Sequence, residues 1–227
     1  MQQHIQRSKA PILSKNQIDQ LGSRLRTEDY SEDDLRTLDH FRRAYVALYE
    51  DTVNTIRQTL HLAPTGRPAK STSAIRDKLC RSSMRLSQMQ DIAGCRIVVE
   101  DHRLQDEVVT QLQALFPAST VVDRRKTPSH GYRAVHVIVW HQHQAVEIQI
   151  RTELQQAWAE YAEKLADTVD PALKYGGGPQ GPRDILKALS KVGGFVEQIE
   201  LEGAGQHQQF AAALAEVASR LADLHKE

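Results

Sequence analysis

Residues 131–151, GYRAVHVIVWHQHQAVEIQIR, alternate apolar and polar positions over two runs separated by a polar HQHQ, which predicts a β-hairpin with strands over 132–140 and 145–151. On the second strand Val146, Ile148 and Ile150 share one face, so Glu147, Gln149 and Arg151 share the other. Alternation by itself describes a half-solvated sheet face as readily as a functional one. A carboxylate, an amide and a guanidinium in one row are a reason to look for partners elsewhere in the chain.

Helical spacing dominates before and after the hairpin. A short helix is predicted over 15–26. Ser31 with Asp34 is an acidic variant of the capping box, and Leu35, Leu38, Phe41, Tyr45, Leu48, Val53 and Ile56 continue a long helix to residue 60. The loop APTGRPAKSTS follows and leads into a short helix over 74–81. Residues 71–73 are N-cap candidates, so the first amides of this helix and the side chains of Arg67, Lys70 and Lys78 can converge on one anion, or stand solvated. At Gly94 the period becomes extended. Ile97, Val98 and Val99 read as a short buried strand, with Asp91 just before it and Arg96 at its beginning. A helix over 104–116 with Val108, Val109, Leu112 and Leu115 inward, a strand over 120–123 and the basic loop RRKTPSHG complete the approach to the hairpin.

Beyond the hairpin, Thr152 caps a helix to residue 167, with Leu154, Trp158, Tyr161 and Leu165 expected on its buried side. DPALKYGGGPQGP reads as a flexible linker, and 183–201 and 207–224 as amphipathic helices that cover the core or pair with a second copy. The expected fold class is α+β, a mixed β-sheet core flanked by N- and C-terminal helices. Its expected divisions are an N-terminal helical extension over 1–62, a core over 63–175 and a C-terminal helical extension over 176–227.

Composition narrows the function classes. The 29 basic and 29 acidic residues cancel, which argues against a nonspecific nucleic-acid coat while leaving room for a local basic patch. Cys80 and Cys95 have neither CxxC spacing nor histidines at ligand spacing, so no zinc site or disulfide framework is indicated and a reducing cytoplasm is expected. No run has the length to span a bilayer, and the first residues lack an apolar signal core, so no membrane partner is expected.

Two acids at strand positions, Asp91 and Glu147, stand among cationic groups that include Arg124, Arg125 and Lys126. Tyr132 is expected to be exposed at the loop-strand junction. Two carboxylates around Mg2+ beside phosphate clamps is the chemistry of phosphoryl or nucleotidyl transfer. A carboxylate can also take the proton of an attacking hydroxyl, and cations beside a ring make a minimal nucleotide site.

KSTSAIRDKL, MQDIAGCR, HGYRAVH and VEIQIRTELQQAWAE, in this order, resemble the synthetase domain of the RelA/SpoT family of alarmone synthetases over residues 67–167. The resemblance implies a nucleotidyltransferase-like synthetase fold that moves pyrophosphate from ATP to the 3′-hydroxyl of GDP or GTP, giving (p)ppGpp. It places Arg67, Lys70, Ser73, Lys78 and Arg96 on the ATP side, and Asp91 and Glu147 on Mg2+, with Glu147 also activating the hydroxyl. It places Lys126, Tyr132, Arg133, His136, Gln149 and Arg151 around the acceptor, with Tyr132 stacked on its base.

The sequence also departs from the family. It contains no His-Asp dipeptide of the family's hydrolase domain, so hydrolysis is not expected. Glu163 replaces a histidine that many members carry, Asp167 and Thr168 replace a lysine-containing pair, and Ala74 stands where serine is usual. The alternative expectation is therefore a toxic small synthetase acting on the tRNA 3′ end or on adenosine nucleotides and neutralised by an antitoxin protein. Homo-oligomers are a further expectation.

Overall fold

The computed structural model describes residues 13–202 and, beyond them, 213, 215–217 and 219. In chain order the elements are α1 (Lys15–Arg26), α2 (Glu32–Leu60), β1 (Thr65–Arg67), α3 (Thr72–Arg81), β2 (Ala93–Val99), α4 (His102–Leu115), β3 (Thr120–Asp123), β4 (Val135–His141), β5 (Gln144–Thr152), α5 (Glu153–Thr168) and α6 (Gln180–Glu202). Short 3-10 turns lie at Leu86–Gln88 and Pro171–Tyr175. Both expected caps form: Ser31 and Asp34 close a capping box on α2, and Thr152 and Gln155 close one on α5.

The expected hairpin is the centre of a five-stranded mixed sheet of order β1-β2-β5-β4-β3. β2 and β5 run parallel, and the other neighbours are antiparallel. One face is sealed by the C-terminal half of α2 and by α4: Val53, Ile56, Val108 and Leu112 pack on Cys95, Ile97, Val137, Ile148 and Ile150. The N-terminal half of α2 builds a second cluster with α1 and α3, in which Leu21, Leu25, Leu38, Phe41, Ile75 and Leu79 surround Ile92 and Val146. At 29 residues α2 is roughly 44 Å long, enough to serve both clusters. With one sheet face covered, the row of Glu147, Gln149 and Arg151 is left on the other.

Five expectations change. Residues 65–67, read as loop, form the edge strand β1; Gly66 makes this possible, because a Cβ there would lie 2.3 Å from the Gly94 carbonyl oxygen. Val98 is not in the core but 44% exposed, since in β2 the alternate residues Ala93, Cys95, Ile97 and Val99 face the core helices. β4 begins at Val135, and Tyr132 precedes it in a separate bridge with Ser129. The linker is largely structured: Asp170 caps the Pro171–Tyr175 turn, and α6 starts at Gln180.

The buried side of α5 is also different. Gln155, Ala159, Ala162 and Ala166 are inward, whereas Leu154 and Tyr161 are exposed. The small alanines let Leu173 and Leu186 approach the helix closely, with Trp158 and Leu165 at the margin. The helix expected over 207–224 lies mostly outside the described residues; 213, 215–217 and 219 are helical, and Glu216 pairs with Lys191 of α6 at 3.4 Å.

Candidate active site

Two polar constellations meet near the start of β2. In the first, Asp91 receives Lys70 Nζ on one carboxylate oxygen at 2.8 Å and Lys78 Nζ on the other at 2.7 Å. The fold brings these distant residues together by backbone bonds. The Lys70 N–H donates to the Ile92 carbonyl at 2.6 Å, and the Lys70 carbonyl accepts from Arg42 Nε of α2 at 2.7 Å. Burial pushes the Asp91 carboxyl up, but Lys78 and Lys70 outweigh it and hold its pKa below the ordinary carboxylate value. Ser71 caps α3 through the Ala74 N–H, and Ser73 shares a 3.1 Å hydrogen bond with the Ser71 hydroxyl. Arg67 is exposed on β1, paired in register with Gly94.

The second constellation is centred on Glu147, which lies opposite Gly94 of β2 and Ile138 of β4. His136 Nδ1 donates to Glu147 Oε1 at 2.9 Å, and Gln149 Nε2 donates to Oε2 at 2.8 Å. His136 Nε2 meets the Tyr132 hydroxyl at 2.9 Å. An Arg151 terminal nitrogen donates to the Tyr132 hydroxyl at 3.1 Å and to Gln149 Oε1 at 2.7 Å. The bonds close a ring whose directions follow from the donors. Arg151 can only donate, so Tyr132 gives its own proton to His136 Nε2, and His136 in its Nδ1–H tautomer gives a proton to Glu147. Both arms that start at Arg151 therefore end on the two oxygens of Glu147.

Burial raises the Glu147 carboxyl, yet the hydrogen bond from His136, with help from that of Gln149, brings its pKa below the ordinary value; the charge of Asp91 works in the opposite direction. The two acids thus sense each other. Among the described residues no group of three or more His, Cys, Asp or Glu is placed to hold a metal ion. A pair of carboxylates suits Mg2+, which keeps several waters and shares substrate phosphate oxygens, better than it suits an all-protein metal cage. Gln156 extends the ring, its Oε1 accepting from Arg151 at 3.0 Å and from Arg96 at 3.4 Å. Arg151 Nε is buried without a hydrogen-bond partner.

Several expected site residues are placed differently. Tyr132 is not an exposed platform: the Arg151 guanidinium lies 5.1 Å from its ring centroid, and Trp158 and His136 flank it at 6.5 and 5.7 Å. Burial raises its phenol above the ordinary value despite Arg151, which keeps the hydroxyl protonated and able to donate. Arg133, expected beside acceptor phosphates, instead pairs with Glu197 of α6 at 2.6 Å. Arg125 turns inward to Asp123 at 2.9 Å and Asp106 at 2.8 Å, leaving Arg124 and Lys126 exposed on the basic loop. Glu163 and Asp167 both pair with Lys174 along α5.

A buried polar network escaped the sequence reading. Glu197 Oε1 accepts from Gln155 Nε2 at 2.7 Å and lies 3.0 Å from His102 Nε2, and Gln105 joins Gln155 to the Ile150 carbonyl. Its members come from three helices and look individually like surface residues. Only their placement in otherwise apolar helix positions hinted at burial.

Residues 66–166 match the family model described as "Region found in RelA / SpoT proteins". Over these residues the chain is similar to the RelA/SpoT family. An uncharacterized protein of Mycobacterium tuberculosis is 41% identical over 118 residues, 49% of this chain and 42% of that one, so the match spans less than half the length of this relative. Small alarmone synthetase 1 from Bacillus subtilis, solved bound to its product pppGpp, is similar at 27% identity and TM-score 0.56, over 78% of this chain and 100% of that one. The same enzyme bound to AMPCPP matches at 26% identity and TM-score 0.53, over 76% and 99%. The fold, mixed sheet and flanking helices together, is that of small alarmone synthetases.

Proposed function

We propose that this protein is a pyrophosphotransferase that moves the β,γ-pyrophosphoryl group of ATP to the 3′-hydroxyl of GDP or GTP. The observation that carries this reading is the Glu147 ring, a half-buried carboxylate held ionised with both oxygens oriented and an aromatic hydroxyl in the same hydrogen-bonded circuit. Glu147 takes the proton of the acceptor 3′-hydroxyl as that oxygen attacks the β-phosphorus of ATP, and AMP leaves. Lys70, Lys78, Arg67 and Arg96 stabilise the phosphate charge on the donor side, with Ser73 at the start of α3. Asp91 and Glu147 would hold Mg2+, which would supply charge neutralisation on the transferred phosphates. Tyr132 receives the acceptor base once Arg151 moves off its ring, and Gln149, Arg151, His136 and the exposed Lys126 surround that position.

The test is an acceptor screen. Protein, Mg2+ and γ-labelled ATP are incubated separately with GDP, GTP, ATP alone and total tRNA. Label on GDP or GTP is the expected result. Label confined to tRNA or to adenosine nucleotides would replace this acceptor with that of the toxic synthetases, for which an antitoxin partner would then be sought.

A further inference from the structure

The segment that carries Tyr132 is held in part from outside the matched RelA/SpoT region. That match ends at residue 166, and besides Trp158, His136 and Arg151 within it, residues 176–197 also contact residues 130–133. A Cβ at Gly176, whose φ is +76°, would lie 2.1 Å from His130 Nδ1. A Cβ at Gly131, with φ +95°, would lie 3.1 Å from Ser190 Cβ and 3.3 Å from the Leu186 carbonyl oxygen, as well as 2.8 Å from the Trp158 ring. Left-handed backbone and absent side chains therefore let the loop lie directly on α6 and the turn before it.

Arg133 fixes the other side of Tyr132. Its Nε and a terminal nitrogen donate to Glu197 Oε2 at 2.9 and 2.6 Å, and the guanidinium lies against Gly194. The Glu197 side chain is only 4% exposed, and its second oxygen is occupied by Gln155 and His102. A cavity of about 400 Å³ borders the pair, walled by Leu154, Trp158, Leu189 and Val192. Apolar walls screen charge poorly, so neither partner is easily released or left alone.

We infer that Glu197 of α6 is a positioning residue for the acceptor site, acting through Arg133 to set the place of Tyr132. This inference rests on the reading of Tyr132 as acceptor platform. α6 is then part of the substrate-binding machinery, and acceptor affinity depends on a helix that the matched region does not contain. The donor side, built from α3 and the start of β2, shares no hydrogen bond with Glu197.

Equilibrium binding by calorimetry separates these roles without requiring turnover. In the intact chain, Glu197→Gln and Arg133→Lys, which keeps the charge but loses the fork, are expected to weaken GDP by about 10-fold or more while leaving a non-hydrolysable ATP analogue unchanged. The double variant Arg133→Gln/Glu197→Gln, neutral and still able to hydrogen-bond, is expected to recover most of the GDP affinity. Tyr132→Ala is measured beside them. If Tyr132→Ala weakens GDP but folded Glu197→Gln and Arg133→Lys do not, or weaken both nucleotides equally, the inference is overturned while the platform reading stands. If Tyr132→Ala leaves GDP unchanged and the Glu197 variant weakens it, the platform reading fails and the positioning role of Glu197 survives. Insensitivity of GDP to all of them overturns both. Should Glu197→Gln fail to fold, Arg133→Lys and the double variant carry the same comparison.

Discussion

His136 and Glu147 face each other diagonally across the β4–β5 ladder, 2.9 Å apart, with Gln149 the direct register partner of the histidine. The carboxylate is thereby gripped from the neighbouring strand and, through Gln149, from its own. Replacing His136 with Ala is expected to lower kcat by about 10²-fold, because Glu147, the proposed base, loses both its orientation and the hydrogen bond that depresses its pKa. The sign of the pH effect follows: His136 lowers the Glu147 pKa, so its removal raises it, and the acid limb of the kcat profile moves to higher pH. A pH–rate profile of the two proteins checks this; an unmoved limb would separate Glu147 from the proton transfer.

Asp91 supplies a stability prediction. Its pKa is held below the ordinary value, so its pairing with Lys78 and Lys70 stabilises the fold above the unfolded-state pKa of about 4 and is lost as pH falls through the folded value. Asp91→Asn is expected to cost about 1–3 kcal/mol at pH 7, where two lysines are left without their carboxylate, and to flatten the loss of stability between about pH 5 and 3. Urea unfolding at several pH values reads both effects.

Gly94 lies directly beside Glu147 on the parallel strand, and a Cβ there would come 3.1 Å from the Glu147 carbonyl oxygen. Gly94→Ala is expected to displace β5 by a few tenths of an ångström and reduce kcat by about 10-fold with little change in ATP binding. Steady-state kinetics with an unfolding control distinguishes this from a general loss of structure.

The sheet core was legible because Val146, Ile148 and Ile150 alternate over a run long enough to fix a period, and that period also placed Glu147, Gln149 and Arg151 together. β1 was not, since three residues carry no period and its pairing depends on the missing side chain of Gly66. Helix α5 misled for a different reason. Its large apolar residues Leu154, Trp158 and Tyr161 line the cavity beside α6, while the close-packed side is made by alanines that mark no stripe by size. At the site, Asp91, Lys70 and Lys78 were singled out as candidates, and the structure brings the three together, but no sequence pattern said that both lysines would pair with the one acid. Arg133 follows Tyr132 directly, yet the bend before β4 turns it to Glu197, a partner 64 residues away that no local pattern signals.

The most direct test of the account is transfer by Glu147→Gln. With labelled ATP, Mg2+ and GDP, the native protein is expected to label GDP. The variant is expected to lose about 10²–10⁴-fold in single-turnover rate while still binding the ATP analogue. Unchanged transfer by the variant would contradict the central claim that Glu147 is the base.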